Sequence, residues 1–321
     1  MKILVIPGLT LPTIADDEMQ RIENAAGPGA DVVVCRQREA VDHAESVEVI
    51  LGMVPPELFQ AAAKLRWVHA IASGVDMFLY PEFVNSTVVL TSEKGLVGEH
   101  LADHGFGLLL TLTRQLAGAY RLGPDSWNHR AELRREELEL TGLTMGIIGF
   151  GGTGRAMAKR AAAFGMQVRA LDREPVPPSA EVATVETPDR FNDLLGASDV
   201  LCICCPLTFE TRDMLDAVAF KAMKPGAFLV NVTRGEVMVE DALVDALQSG
   251  RLRGAALDVA PREPLPADSP LWQLDNVVMT PHTAGASQYR ASRNVDRFVR
   301  NLEKLTAGEP LEGIIDKVLG Y

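Results

Sequence analysis

Three observations in the sequence predict an α/β fold built on parallel sheets with helices on both faces. Short, continuously apolar runs alternate with longer helical patterns along almost the whole chain, and runs without polar alternation suit strands buried on both faces. One such run, Met145–Gly149, leads into Gly149-Phe-Gly-Gly-Thr-Gly154 and then an alanine-rich helical stretch, which is the strand, glycine turn and helix order of a Rossmann-type dinucleotide site. The length, 321 residues, is enough for two domains of roughly 100–200 residues each.

In the first part of the chain, strands are expected at Lys2–Ile6, Asp31–Cys35, Val49–Gly52, Trp67–Ile71 and Val88–Thr91, each a short apolar run bounded by polar or turn-forming residues. Glu57–Leu65, after Pro55-Pro56, is expected to be helical, with proline near its first turn. A long helix is expected from Glu99 to Leu122, carrying Leu101, Phe106, Leu108, Leu109, Leu112 and Leu116 and stopping at Gly123-Pro124. The charged stretch Asp125–Leu140, with Trp127, Arg130, Arg134 and Arg135, is expected to be an exposed arm or connection, with Trp127 either a dimer contact or a core anchor.

A second series begins at Met145. Its expected strands are Met145–Gly149, Gln167–Leu171, Val182–Val185, Val200–Cys204, Ala227–Asn231, Gly254–Val259 and Val277–Thr280. Helices fill the gaps, among them Arg155–Phe164 and Val239–Ser249, and a last helix is expected at about Gln288–Leu305. Strands alternating with helices imply a parallel sheet with right-handed crossovers.

Composition narrows the function. A net charge of −12 argues against non-specific binding to nucleic acid or an anionic membrane, so an anionic substrate would need a local basic focus. No stretch reaches the roughly 20 apolar residues of a membrane span. The apolar N-terminal run ends at Pro7-Gly8, with Asp16, Asp17 and Glu18 beyond it, so it reads as a first buried strand and not an export signal, and a cytoplasmic location is expected. Cys202, Cys204 and Cys205 share one apolar run, with Cys202 and Cys204 on one strand face and Cys205 on the other. That spacing does not match a zinc site, so these residues and Cys35 are expected to be buried thiols, and no metal site is expected.

The glycine turn has a division of labour. Gly149 permits the tight turn, Gly151 lets the backbone approach a pyrophosphate, and Gly154 lets the helix pack close to the sheet. Gly152 and Thr153 lie at the start of that helix, whose N-terminal N–H groups suit phosphates. About 20 residues on, Asp172 can accept hydrogen bonds from a ribose hydroxyl and repel a 2′-phosphate, which favours NAD over NADP, although the adjacent Arg173 could accommodate a phosphate. Arg234, Glu263 and His282 each lie just past an expected strand, and strand C-termini line the binding crevice of an open parallel sheet. Singly, a surface arginine, a loop glutamate and a turn histidine are commonplace. Together at one nucleotide crevice they supply a cation, an orienting carboxylate and a proton donor.

In combination, Gly149–Gly154, Val230-Asn-Val-Thr-Arg-Gly-Glu236, Leu257-Asp-Val-Ala-Pro-Arg-Glu-Pro-Leu-Pro266 and Thr280-Pro-His-Thr-Ala-Gly285 resemble the D-isomer-specific 2-hydroxyacid dehydrogenases, over nearly the whole chain. The resemblance implies a Rossmann-type NAD-binding domain at 100–284 and a smaller, discontinuous, flavodoxin-like α/β substrate domain at 1–99 plus 285–321, with a cleft between them and a homodimer as the assembly. It implies NAD-linked interconversion of a D-2-hydroxy acid and a 2-oxo acid. In this scheme Arg234 binds the small anionic substrate, His282 is the acid/base and Glu263 orients it. Asp258 would contact the nicotinamide carboxamide and Cys205-Pro206 would pass the adenosine, with Thr211, Thr233, His282 and Ala284 completing the cofactor set. Ser73, Gly74 and Val75 resemble the loop that takes the substrate carboxylate. The chain departs from the family pattern at Asp103, where glutamate is usual, at Ala260, where an aromatic is common, and at Cys205. An NAD(H)-sensing, corepressor-like binding protein on the same fold is the alternative, and the presence of all three reactive side chains argues against it.

Overall fold

Twelve strands form two sheets in which every pairing is parallel. They are seen in a computed structural model that describes residues 1–321. The chain divides into two units, Met1–Val97 with Ala286–Tyr321, and Gly98–Gly285. No helix is long and apolar enough to cross a membrane.

The first unit holds β1 (Lys2–Val5), β2 (Asp31–Val34), β3 (Val49–Leu51), β4 (Trp67–His69) and β5 (Val89–Thr91). Their order, β2-β1-β3-β4-β5, is the flavodoxin-like arrangement. Side chains alternate between two cores: Ile3, Val5, Val49, Leu51 and Trp67 pack with Ile22, Val295, Phe298 and Leu302, while Leu4, Ile6, Ile50 and Val68 pack with Leu58 and Phe83. Helices Asp16–Ala26 and Arg290–Ala307 cover the first of these faces. Asp16–Ala26 was not anticipated, although its signals were present: Asp16, Asp17 and Glu18 favour a helix N-terminus, and Ile22 and Ala26 repeat at helical spacing.

The second unit holds β6 (Thr144–Ile148), β7 (Gln167–Leu171), β8 (Val185–Glu186), β9 (Val200–Ile203), β10 (Ala227–Asn231), β11 (Leu252–Leu257) and β12 (Val277–Met279). Their order is β12-β11-β10-β9-β6-β7-β8, a doubly wound Rossmann sheet whose strand order reverses between β6 and β9. Cys202 packs with Met145, Ile147 and Val230 on one face, and Cys205 with Ile203 and Leu229 on the other. The Cys202 and Cys204 sulfurs are 3.5 Å apart, and all four cysteines are free thiols.

Several expectations are corrected. The Glu99–Leu122 helix is two helices, Gly98–Thr113 and Leu116–Leu122, because Gln115 takes a left-handed conformation with φ of 55°. The Thr113 carbonyl leaves the helical ladder to accept from Leu138 N–H, and the Gln115 amide caps Leu112. The expected Glu57–Leu65 helix spans only Pro56–Ala61, and the Val182–Val185 strand is displaced to Val185–Glu186. The Asp125–Leu140 arm contains the helix Arg130–Glu136, and Trp127 is 79% exposed, which removes its reading as a core anchor.

Candidate active site

Parallel strands deliver the loops after their C-termini to one edge of the sheet. Along that edge of the second unit the strand order places, in turn, the His282 turn after β12, Asp258 and Glu263 after β11, Arg234 after β10, Cys205–Thr211 after β9, the glycine turn after β6 and Asp172-Arg173 at the end of β7. The reversal between β9 and β6 lies within this row, where ligands bind in open α/β sheets.

The three fingerprint glycines have different surroundings. Gly149 has φ of +90°, and a side chain there would meet the Cys205 backbone at 2.5 Å. A Cβ on Gly154 would lie 2.1 Å from the Gly149 carbonyl oxygen, so the helix Gly152–Ala163 can sit on the turn only without it. A Cβ on Gly151 would meet no protein atom within 4 Å, so packing does not require glycine there. The space beside Gly151 is open, and the first-turn amides of Gly152, Thr153 and Gly154 have no intrahelical acceptor. This cradle fits a pyrophosphate.

Asp172 is held in place. Its carboxylate accepts from the N–H of Phe150, inside the glycine turn, at 2.6 Å, and from Glu174 N–H at 3.0 Å. Arg173 turns its guanidinium to Glu210, 3.1 Å away. Glu210 belongs to the loop after β9, in which Thr208 N–H donates to the Thr211 hydroxyl at 2.7 Å and that hydroxyl donates to the Pro206 carbonyl, also at 2.7 Å. Burial pushes the Cys205 thiol up to about 12, so it is a packing group and not a nucleophile.

At the other end of the edge, His282 Nδ1 lies 2.7 Å from Glu263 Oε2, and Glu263 Oε1 accepts from Ala260 N–H at 3.0 Å. His282 itself has φ of 54°, a conformation that non-glycine residues hold only when their surroundings enforce it. Buried Asp258 supplies that enforcement. Its carboxylate accepts from the Thr280 hydroxyl and from the N–H groups of Thr283 and Ala284, and its carbonyl accepts from His282 N–H. His104, on the helix Gly98–Thr113, approaches the same Thr280 oxygen at 2.7 Å. The Thr280 proton goes to Asp258, so His104 Nε2 is the donor of that bond. His104 was missed from the sequence, because nothing local links it to a turn 176 residues away.

Arg234 sits on a loop fixed by buried Asn231, whose side chain donates to the Arg234 carbonyl and accepts from Thr233 N–H. One Arg234 guanidinium N–H donates to the Thr233 carbonyl at 2.8 Å. Gly235 packs so tightly on Ala260 that a Cβ would overlap its carbonyl carbon, which locks the β10 loop against the β11 loop carrying Glu263. Asp103 pairs with Arg160 at 2.6 Å, so the shorter acid still makes an ion pair. In the first unit, Ser73, Gly74 and Val75 follow β4, and Val75 caps the short turn Asp76–Phe78. No group of three or more His, Cys, Asp or Glu side chains is arranged to hold a metal ion.

Comparison with known proteins decides the family. The model for the D-isomer-specific 2-hydroxyacid dehydrogenase NAD-binding domain matches residues 106–284. The chain belongs to the D-isomer-specific 2-hydroxyacid dehydrogenase family. Among this dehydrogenase's relatives are a glyoxylate reductase of Korarchaeum cryptofilum, 34% identical over 91% of this chain and 87% of the relative, and a glyoxylate/hydroxypyruvate reductase B of Pectobacterium carotovorum, 33% identical over 94% and 95%. Among solved structures, a D-isomer-specific 2-hydroxyacid dehydrogenase of Xanthobacter autotrophicus in complex with NADPH and MES aligns with a TM-score of 0.82 and 29% identity, covering 99% of both chains.

Proposed function

We propose that this dehydrogenase interconverts a D-2-hydroxy acid and its 2-oxo acid with NAD(H), working in the cytoplasm as a homodimer. The single observation that carries the chemistry is the His282–Glu263 pair, 2.7 Å apart on the loop edge that also carries Arg234. The dinucleotide, bound on Gly149, Gly151, Gly152, Thr153 and Gly154, supplies or accepts the hydride. With Nδ1 engaged by Glu263, the His282 Nε2 is the atom that gives a proton to the substrate 2-oxygen in reduction and takes it back in oxidation. Arg234 holds the substrate and offsets the negative charge that grows on that oxygen. The loop Ser73–Val75 is assigned to the substrate carboxylate, through the backbone amides of Gly74 and Val75.

Asp172 is assigned to the adenosine ribose, with Arg173, Cys205, Pro206 and Thr211 beside the adenosine. Thr233, Asp258 and Ala284 are assigned to the nicotinamide end. For the homodimer, the supporting observation is that Leu116 and Tyr120, one turn apart on the helix Leu116–Leu122, and Trp127 are large apolar side chains left exposed.

The test is a panel of 2-oxo acids (glyoxylate, hydroxypyruvate, pyruvate and phenylpyruvate) assayed with NADH and NADPH. Turnover of at least one with NADH is expected, yielding the D-hydroxy acid. Tight NADH binding without turnover of any of them would replace the enzyme by a sensor.

A further inference from the structure

The adenosine end of the site contains an ion pair with no evident structural need. Arg173 and Glu210 are both about half exposed, and such pairs add little to stability. Even so, Glu210 is carefully placed. Its second carboxylate oxygen accepts from the Thr208 hydroxyl at 3.0 Å, and Thr208 and Thr211 brace each other, each backbone N–H donating to the other's hydroxyl at 2.7 and 3.2 Å. A backbone hydrogen bond at Glu210, followed by the Thr208 hydroxyl, holds its carboxyl below the usual carboxylate range, so it is ionised at neutral pH.

The guanidinium that Glu210 engages belongs to the residue after Asp172. Glu174 approaches the same guanidinium at 3.7 Å. Two carboxylates, Glu174 and Glu210, therefore approach one cation. A phosphate monoester brings about −1.5 to −2 charges at pH 7 and seeks an arginine whose donors are available for charge-assisted hydrogen bonds.

We propose that Glu210 is a specificity-determining residue: by engaging Arg173 it withholds that guanidinium from the 2′-phosphate that distinguishes NADP(H) from NAD(H). This rests on the dinucleotide-binding reading above. Asp172 alone would leave the choice open, because Arg173 is attached to the same strand end. Glu210, from the facing loop, turns the pair into a site for an uncharged ribose.

The test measures dissociation constants for NADH and NADPH by titration calorimetry on the wild type, Glu210→Gln, Glu174→Gln and the double variant Arg173→Gln/Glu210→Gln. Wild type is expected to favour NADH. Glu210→Gln, which keeps the side-chain size at an exposed position, is expected to tighten NADPH by about tenfold while NADH changes by less than about threefold. Glu174→Gln is expected to give a smaller gain, and the double variant to lose the gain of Glu210→Gln. An unchanged NADPH affinity in Glu210→Gln, a gain that survives in the double variant, or a wild type that prefers NADPH would overturn the proposal while leaving the dinucleotide site intact. A wild type that binds neither dinucleotide would overturn the underlying reading, and the proposal with it.

Discussion

Each sheet has a histidine at or just past the end of one strand, and the two residues have little else in common. His69 closes β4 with no exposed surface. Its Nδ1 meets the Thr91 hydroxyl at 2.6 Å, its ring lies against Trp67 and Phe298, and its Nε2 is buried without a hydrogen-bond partner. His282 lies beyond β12 with 44% of its side chain exposed, one nitrogen on a carboxylate and a left-handed backbone clamped by Asp258. Exposure and partners, not the place at a strand end, separate this packing ring from the proton carrier proposed at His282. The contrast is open to direct attack.

The largest effect is expected from His282→Ala, which should lower kcat by about 10²–10⁴-fold with NADH affinity and the urea midpoint unchanged. Full turnover in that variant would dissolve the contrast. Thr91→Val should do the opposite. It removes the hydroxyl that accepts from Trp67 Nε1 at 2.8 Å and faces His69, so stability should fall by about 1–3 kcal/mol with kcat intact.

Acid bears on the buried ring of His69. Burial pushes the His69 pKa down from 6.5 to about 3, so the unfolded chain takes up that proton first. This contribution is fully present above about pH 6.5 and is lost as pH falls towards 3, amounting to about 2 kcal/mol by pH 5. His69→Gln should therefore lose less stability than wild type between pH 7.5 and 5 in paired urea titrations, and an equal loss would show that the buried ring does not set the acid limb. The smallest effect belongs to Glu263→Gln. It keeps a hydrogen-bond acceptor for His282 but removes the charge, and kcat should fall by about tenfold. A fall as large as that of His282→Ala would mean that Glu263 does more than orient the ring.

Much of this was legible in the sequence, for physical reasons that differ from place to place. Parallel strands buried on both faces must be continuously apolar, so β1, β3, β9 and β10 could be read from their runs. Arg234, Glu263 and His282 could be read as neighbours because each follows a strand and strand ends share an edge. The break at Gln115 could not be read, because Leu112 and Leu116 continue the apolar stripe across it and no glycine or proline marks it. Nor could the Asp258 clamp, His104 or the Arg173–Glu210 pair, since these depend on side chains from separate loops. Gly149, Gly151 and Gly154 look alike in sequence. Only coordinates show that two of them serve the fold and the third faces outward.

The path of the chain also dictates an order of assembly. The ribosome finishes the Gly98–Gly285 unit before it makes Arg290–Ala307, the helix whose Phe298 stacks on Trp67 at 5.0 Å. The bridge from Thr91 to Ile314 comes later still. Until then the five-stranded sheet has one apolar face only partly covered, by the helix Asp16–Ala26, so the nascent protein is most vulnerable to aggregation in the half it began first, and that is the half a chaperone would need to hold.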